Sequence, residues 1–266
     1  MTKKQNFKKE IEVAEMIARK AGEVMLYYFD RDQKVETKED KSFVTVADKK
    51  INTMVIKELK KAFPLDDVIG EEESSGSFGM GRKWFCDPID GTAAFVYGCP
   101  TAMFSLGLVI DGVPVLGVIF DPFLNKLFKG IKGSGSFLNN KRLRVSQKNL
   151  KNGVFAGSGS LSKCMTEPFS SFLQSIKSKG ARIFSISGVV YKANLLVSGK
   201  IVGHTEPGVN NHDVCALEVI VEEAGGKITA LDGSKLSYLK PFKGVVMSNR
   251  VTHQEILKEV KKHLNK

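Results

Sequence analysis

The chain has 266 residues, with 40 Lys+Arg against 29 Asp+Glu, a formal charge of +11, and 42% of positions are hydrophobic. Such a chain buries a sizeable core as one large domain or two modest ones, which excludes a disordered segment, a collagen-like repeat and a miniprotein scaffold. Cys86, Cys99, Cys164 and Cys215 stand far apart without a C-x-x-C pair, and there is neither an apolar leader nor a run near the ~20 residues of a membrane span, so a cytoplasmic protein is expected.

In chain order, Phe7, Ile11, Ala14, Ile17/Ala18, Ala21, Val24/Met25 and Tyr28 recur at three-to-four spacing and predict a long amphipathic helix. A charged connector follows from Asp30 to Lys41. Thr45 then precedes a second periodic set, Ile51, Met54/Val55, Leu59 and Ala62, with Asp48 placed as in a capping box and Pro64 as terminator. Trp84-Phe85-Cys86 reads as a short apolar strand. TAMFSLGLVIDGVPVLGVIFDP reads as two strands joined at Asp111-Gly112, with a third at Lys126 to Ile131, so the first half is an antiparallel meander with helices.

Beyond Thr166 the pattern alternates. It predicts a helix with Pro168 near its start, a strand from Arg182, a helix through Val190 to Val197 and a strand at Ile201 to Thr205. A helix from Asp213 closed by Gly225-Gly226, strands at Lys227 to Ala230 and Gly244 to Met247, and a last helix capped by Thr252 with Glu255 complete it. The change of pattern predicts two subdomains, 1–148 (α+β) and 149–266 (α/β).

The charge is unevenly spread. Residues 62–81 hold five acids and 84–125 hold four, with no Lys or Arg in either stretch, whereas 122–166 hold nine bases and no acid. A basic nucleic-acid or polyanion binder is one reading of that run, but it lacks interleaved aromatics and any recognisable binding module. The acidic stretches carry more chemistry. Asp87-Pro88-Ile89-Asp90-Gly91-Thr92 puts two carboxylates and the Ile89 carbonyl on one rigid turn after a strand, a set of hard donors that suits Mg²⁺ or Ca²⁺. Glu71-Glu72-Glu73 follows the apolar Val68-Ile69 at a strand end, and Asp213 stands at a helix start, where an N-cap role is the plain alternative.

Together VTVADKKIN, VIGEEES, WFCDPIDGTAAF and EPGVNNHDVCALEVIVEEAGG resemble, in order, the motifs of the inositol monophosphatase family of metal-dependent, lithium-sensitive phosphatases. The resemblance spans about Ala14 to Asn249. It implies a layered αβαβα sandwich, usually a homodimer, that hydrolyses small phosphate esters with two or three Mg²⁺. Glu71, Asp87 and the Ile89 carbonyl would hold one ion, Asp87, Asp90 and Asp213 a second, with a third near Glu71. Asp48 and Thr92 would position and deprotonate the attacking water, with Glu71 completing the catalytic set. The substrate would meet Asp90, Gly91, Thr92, Ser158, Gly188, Val190, Glu206 and Asp213.

The chemistry agrees with this resemblance. A dianionic ester repels hydroxide, and two metals ~3.5–4 Å apart neutralise it, supply the nucleophile and stabilise the leaving alkoxide. Three positions depart from the family's common pattern: His212 stands where Trp is usual, Ala94 where Asn is common, and Val190-Tyr191 replaces a Thr-Ala-Ala-like run. Inositol monophosphate is the first substrate expectation. Phe95-x-x-Gly98-x-Pro100 and Glu206-Pro207-Gly208 also resemble motifs of relatives that dephosphorylate histidinol phosphate, so the resemblance implies that ester as the second substrate, with sugar bisphosphates or nucleotide 3′-phosphates as further alternatives. Neither a nucleic-acid partner nor a membrane is expected.

Overall fold

A computed structural model describes residues 7–31, 35–39, 42–158 and 167–264. Cys164, the start of the segment expected from Thr166 and parts of the 30–41 connector lie outside these. The described residues form seven α-helices and fifteen strands in five layers.

The outer helices are α1 (Lys8–Tyr28) and α2 (Val46–Ala62). The buried stripe Ala14, Ile17, Ala18, Ala21 and Met25 of α1 follows the predicted spacing and packs with Ile51, Val55 and Leu59 of α2. Thr45 caps α2 as expected, its hydroxyl accepting from the Ala47 and Asp48 amides while Asp48 reaches back to the Thr45 N–H.

These helices cover an eight-stranded sheet whose strands are β3 (Asp67–Gly70), β4 (Ser74–Ser75), β5 (Arg82–Asp90), β6 (Met103–Ile110), β7 (Val113–Asp121), β8 (Lys126–Ile131), β9 (Gly135–Leu138) and β10 (Lys141–Arg142). Their order is β10-β9-β8-β7-β6-β5-β3-β4, antiparallel except that β3 runs parallel to β5. Asp111 (φ 50°) and Gly112 (φ 77°) make the tight β6–β7 turn with left-handed backbone at both positions. Because both faces are covered, β5 is apolar on alternate sides: Trp84 and Cys86 face α1 and α2, and Phe85 faces the next helical layer.

That inner layer is α5 (Val189–Val197) and α6 (Asn211–Glu223). Gly107, Gly117 and Gly130 are register partners across β6, β7 and β8 and make a groove for α6. A Cβ at Gly117 would stand 2.3 Å from the Ala216 carbonyl oxygen, and one at Gly107 would stand 2.4 Å from Cys215 Sγ. Only glycine allows that approach.

The second sheet, order β12-β11-β13-β15-β14, consists of β11 (Val154–Ser158), β12 (Arg182–Ile186), β13 (Gly203–Glu206), β14 (Lys227–Ala230) and β15 (Val245–Ser248). β12, β11 and β13 are parallel, and β15 is antiparallel to β13 and β14. α4 (Phe169–Ser178) and α7 (His253–His263) close the outer face around Phe155, Phe172 and Ile256. The last helix of the first half, α3 (Thr92–Val96), is one short turn.

Several expectations need correction. The connector contains a small hairpin, β1 (Val35–Thr37) on β2 (Phe43–Thr45), hidden from pattern reading because every residue of β1 is exposed. β5 runs through the anticipated turn to Asp90, with its register shifting between Asp87 and Asp90, where Pro88 has no N–H for the ladder. β13 lies two residues later at its start than expected. α6 starts at Asn211 with Asn210 at the cap, so Asp213 is its third residue. Thr252 precedes α7, but its hydroxyl donates to the Val202 carbonyl (2.9 Å) and Asn249 Oδ1 (3.0 Å) instead of capping the helix.

Candidate active site

Three neighbouring elements deliver acids to one crevice. β3 ends at Gly70, so Glu71 leaves the sheet there, its N–H donating to the Cys86 carbonyl (3.1 Å). The bulged end of β5 turns Asp87 and Asp90 toward it, with Asp87 Oδ1 accepting from the Ile89 N–H at 3.0 Å. The glycine groove lets α6 present Asp213 from the other side. Glu71, Asp87, Ile89, Asp90, Gly91, Thr92 and Asp213 line one cavity of about 310 Å³, with Ser42 and Phe43 as its rim. Among the described residues no Lys or Arg lines it.

The electrostatics follow from burying like charges together. Burial pushes Asp87 well above the usual carboxylate range, and Glu71, Asp90, Asp213 and Asp48 push it further. Asp90 is pushed up to about 7 by burial and by Asp213, while the Val190 and Val189 amides (3.0 and 3.1 Å) and Lys192 oppose the rise. Asp213 is raised by burial, against the pull of His212, whose Nε2 is 3.6 Å from Oδ1, and of the Asn210 N–H. Asp48 reaches about 7, chiefly by burial, despite two bonds from Thr45; its Oδ1 is buried without a hydrogen-bond partner.

A divalent cation fits this donor set. Four carboxylates and a backbone carbonyl are hard oxygen ligands, and their mutual repulsion is what a cation relieves. Among the described residues no three His, Cys, Asp or Glu side chains already stand as a metal cage. Glu71 instead pairs with Lys38 Nζ at 2.9 Å, and that ammonium also binds Glu72 at 2.6 Å.

Of the remaining predicted residues, Gly91 and Thr92 line this cavity, whereas Asp48, Ser158, Gly188, Val190 and Glu206 are not among its described lining residues. Thr92 donates its hydroxyl to the Ile89 carbonyl (3.1 Å), while Asp48 is held by Thr45, so the two are not bonded to one another. Gly188 (φ 85°) lies against Asp90, where a Cβ would come within 2.9 Å of Oδ2. Val190 serves through its amide, its side chain being buried. Ser158 ends β11 opposite Ile186. Glu206 is buried at the end of β13 and pairs with Lys192 of α5. Sequence reasoning passed over Lys38 and Lys192. The signal for Lys192 was the single charge in VVYKANLLV; Lys38 left none, since its partners lie 33 and 34 positions away.

The layered architecture and the acid-lined crevice put the chain in a class of known phosphatase folds. It superposes on Thermotoga maritima IMPase with a TM-score of 0.86, covering 95% of this chain and 97% of that one at 29% identity. The profile of the inositol monophosphatase family matches residues 7–265. The chain is 31% identical over 252 residues to the fructose-1,6-bisphosphatase/inositol-1-monophosphatase of Thermotoga maritima, covering 92% of this chain and 93% of that protein. It is 32% identical over 238 residues to the histidinol-phosphatase of Mycobacterium tuberculosis, covering 85% and 87%. The chain belongs to the inositol monophosphatase family, and its activity class is that of a phosphoric monoester hydrolase acting on small phosphorylated substrates. Among the described residues no helix is long and apolar enough to cross a membrane.

Proposed function

We propose that the chain hydrolyses the phosphate ester of a small polyol, inositol monophosphate first, in a Mg²⁺-dependent reaction with water as nucleophile. The observation that carries this reading is the convergence of Glu71, Asp87, Asp90 and Asp213 with Ile89 on one cavity. Working with two or three Mg²⁺, inhibition by Li⁺, a homodimeric state and a cytoplasmic setting belong to the same reading.

Glu71, Asp87 and the Ile89 carbonyl would hold one ion, and Asp87, Asp90 and Asp213 a second. Bound Mg²⁺ neutralises a dianionic phosphate and acidifies water. The chain supplies the rest. The Val189 and Val190 amides fix the Asp90 carboxylate, and the Asn210 N–H fixes Asp213 Oδ2 at 2.5 Å, so both present a set geometry. Asp48, with one oxygen tethered by Thr45 and the other unpartnered, would take the proton of the attacking water near neutral pH. Thr92 orients that water beside the Ile89 carbonyl, and the Gly91 and Thr92 amides lie on the cavity wall where phosphate oxygens would dock.

Phosphate release from inositol 1-phosphate with Mg²⁺ tests the reading. Activity should disappear in excess chelator and in Asp90→Asn; retention of activity in either condition overturns it. Histidinol phosphate is the second reading, favoured by the likeness to the Mycobacterium tuberculosis histidinol-phosphatase.

A further inference from the structure

Lys192 and Glu206 form a buried ion pair that no part of the phosphate chemistry requires. Lys192 is 2% exposed and Glu206 7%. Burying a lysine ammonium is unfavourable unless it is paired. Its position is informative. Lys192 lies on the first turn of α5, whose Val189 and Val190 amides hold Asp90, and its own amide donates to the Gly188 carbonyl at 3.3 Å. The ammonium contacts Glu206 directly and also acts electrostatically on Asp90. One helical turn thus links the carboxylate proposed to bind metal with the carboxylate expected to meet the alcohol. His204, whose Nδ1 is 3.7 Å from Glu206, is held below its usual pKa by burial and adds no charge near neutral pH.

We infer that Lys192 makes the alcohol side of the site charge-neutral, restricting the substrate to esters of uncharged polyols and rejecting amino-alcohol esters such as histidinol phosphate. The inference rests on the phosphatase reading above and deepens it. An alcohol carrying an ammonium is recognised by an unpaired carboxylate; here the carboxylate is already neutralised, and a second ammonium would face Lys192 in a low-dielectric setting. A neutral diol has the opposite relation to the pair. A hydroxyl donates to the Glu206 carboxylate, the more exposed of the two groups, while the Lys192 ammonium acts from behind it and has, among the described residues, Glu206 as its one ion-pair partner. The pair also acts through its field, so specificity does not require every atom of it to touch the ligand.

The test compares kcat/KM for inositol 1-phosphate and histidinol phosphate in the full chain with Mg²⁺, using p-nitrophenyl phosphate as a probe with neither diol nor ammonium. The wild type should favour inositol 1-phosphate by about tenfold or more, the factor that ~1.4 kcal/mol gives. Lys192→Met, which leaves Glu206 with only His204 beside it, should move the ratio toward histidinol phosphate by about tenfold or more. Glu206→Gln should not move it that way, and the double variant should return it toward the wild-type value. A ratio cancels any loss common to both substrates, and if Lys192→Met does not fold, Glu206→Gln and the double variant still decide. Wild-type preference for histidinol phosphate, a ratio unchanged in folded Lys192→Met, or a shift toward histidinol phosphate in Glu206→Gln overturns the inference. Absence of Mg²⁺-dependent turnover of all three esters by the wild type refutes the phosphatase reading itself, a separate outcome.

Discussion

Asp48→Asn should stabilise the metal-free protein at alkaline pH while abolishing turnover. Asp48 is fully buried, and its pKa rises from 3.8 to about 7. The folded state therefore holds this proton more tightly than the unfolded chain, and stability falls as pH rises through that window. The penalty is absent below about pH 4 and complete above about pH 7. A rise of about three pH units at 1.36 kcal/mol each is ~4 kcal/mol. Asparagine keeps an oxygen for the Thr45 N–H and hydroxyl, now 2.8 and 2.6 Å from Oδ2, but puts an amide N–H₂ where Oδ1 has no partner. That unmet donor costs ~1–3 kcal/mol, leaving a net gain of ~1–3 kcal/mol at pH 8 and a loss of similar size at pH 4. Urea denaturation of wild type and variant in EDTA at both pH values measures the difference, and parallel assays with Mg²⁺ should show a fall in kcat of about a hundredfold or more. A variant less stable than wild type at pH 8, or a stability difference that does not change with pH, refutes the electrostatic argument. Undiminished kcat refutes Asp48 as the base.

Three further outcomes follow from contacts around the site. Lys38→Met removes the ammonium that pairs with Glu71 at 2.9 Å, so the Mg²⁺ concentration for half-maximal activity should fall by about threefold or more; a rise would show that Lys38 assists binding. Gly107→Ala places a Cβ 2.4 Å from Cys215 Sγ and 2.8 Å from the Ala216 nitrogen, so it should lower stability by ~1–3 kcal/mol in a thermal melt and weaken Mg²⁺ binding by displacing α6; an unchanged melt would contradict the close approach. Glu218 is buried on α6 with its pKa raised from 4.5 to about 7, chiefly by burial, so its carboxyl loses stability for the fold as pH rises through that range. Glu218→Gln should therefore gain up to ~3 kcal/mol relative to wild type at pH 8 and little at pH 4.5, with equal effects at both pH values counting against it.

The parts of the structure legible in sequence are those whose partners are near in sequence or whose pattern repeats. The Ala14, Ile17/Ala18, Ala21 and Met25 stripe specifies the buried face of α1 without knowledge of what covers it. Asp111-Gly112 specifies a turn from its own two residues, and Thr45 with Asp48 closes a box within one helical turn. The DPIDGT segment was legible as chemistry because its donors are packed into six positions. Long-range pairing is a different problem. Val35–Thr37 carries no alternation, since it is exposed on both faces, so the hairpin bringing Lys38 to Glu71 could not be read. Lys192 is visible in sequence as the one charge of its helix but not as a paired one, because its partner Glu206 lies on β13.

The placement of Asp213 shows why the site depends on residues without chemistry of their own. A helix laid on a sheet ordinarily stands off by the height of two side-chain layers, too far for its first turn to share a narrow crevice with carboxylates on the strand ends. Gly107, Gly117 and Gly130, aligned on adjacent strands, remove one of those layers beneath Cys215, Ala216 and Ile220. The first turn of α6 is thereby lowered onto the sheet, and Asp213 joins Asp87 and Asp90 in one cavity. Each glycine read singly is a weak strand residue, and its meaning emerges only from the register that sets all three in a row. The same close approach excludes water from the carboxylates and so accounts for the raised pKa values of Asp87, Asp90 and Asp213, in each of which burial is the largest cause. Packing and electrostatics at this site are one effect: the groove that brings the charges together also makes each of them harder to ionise alone.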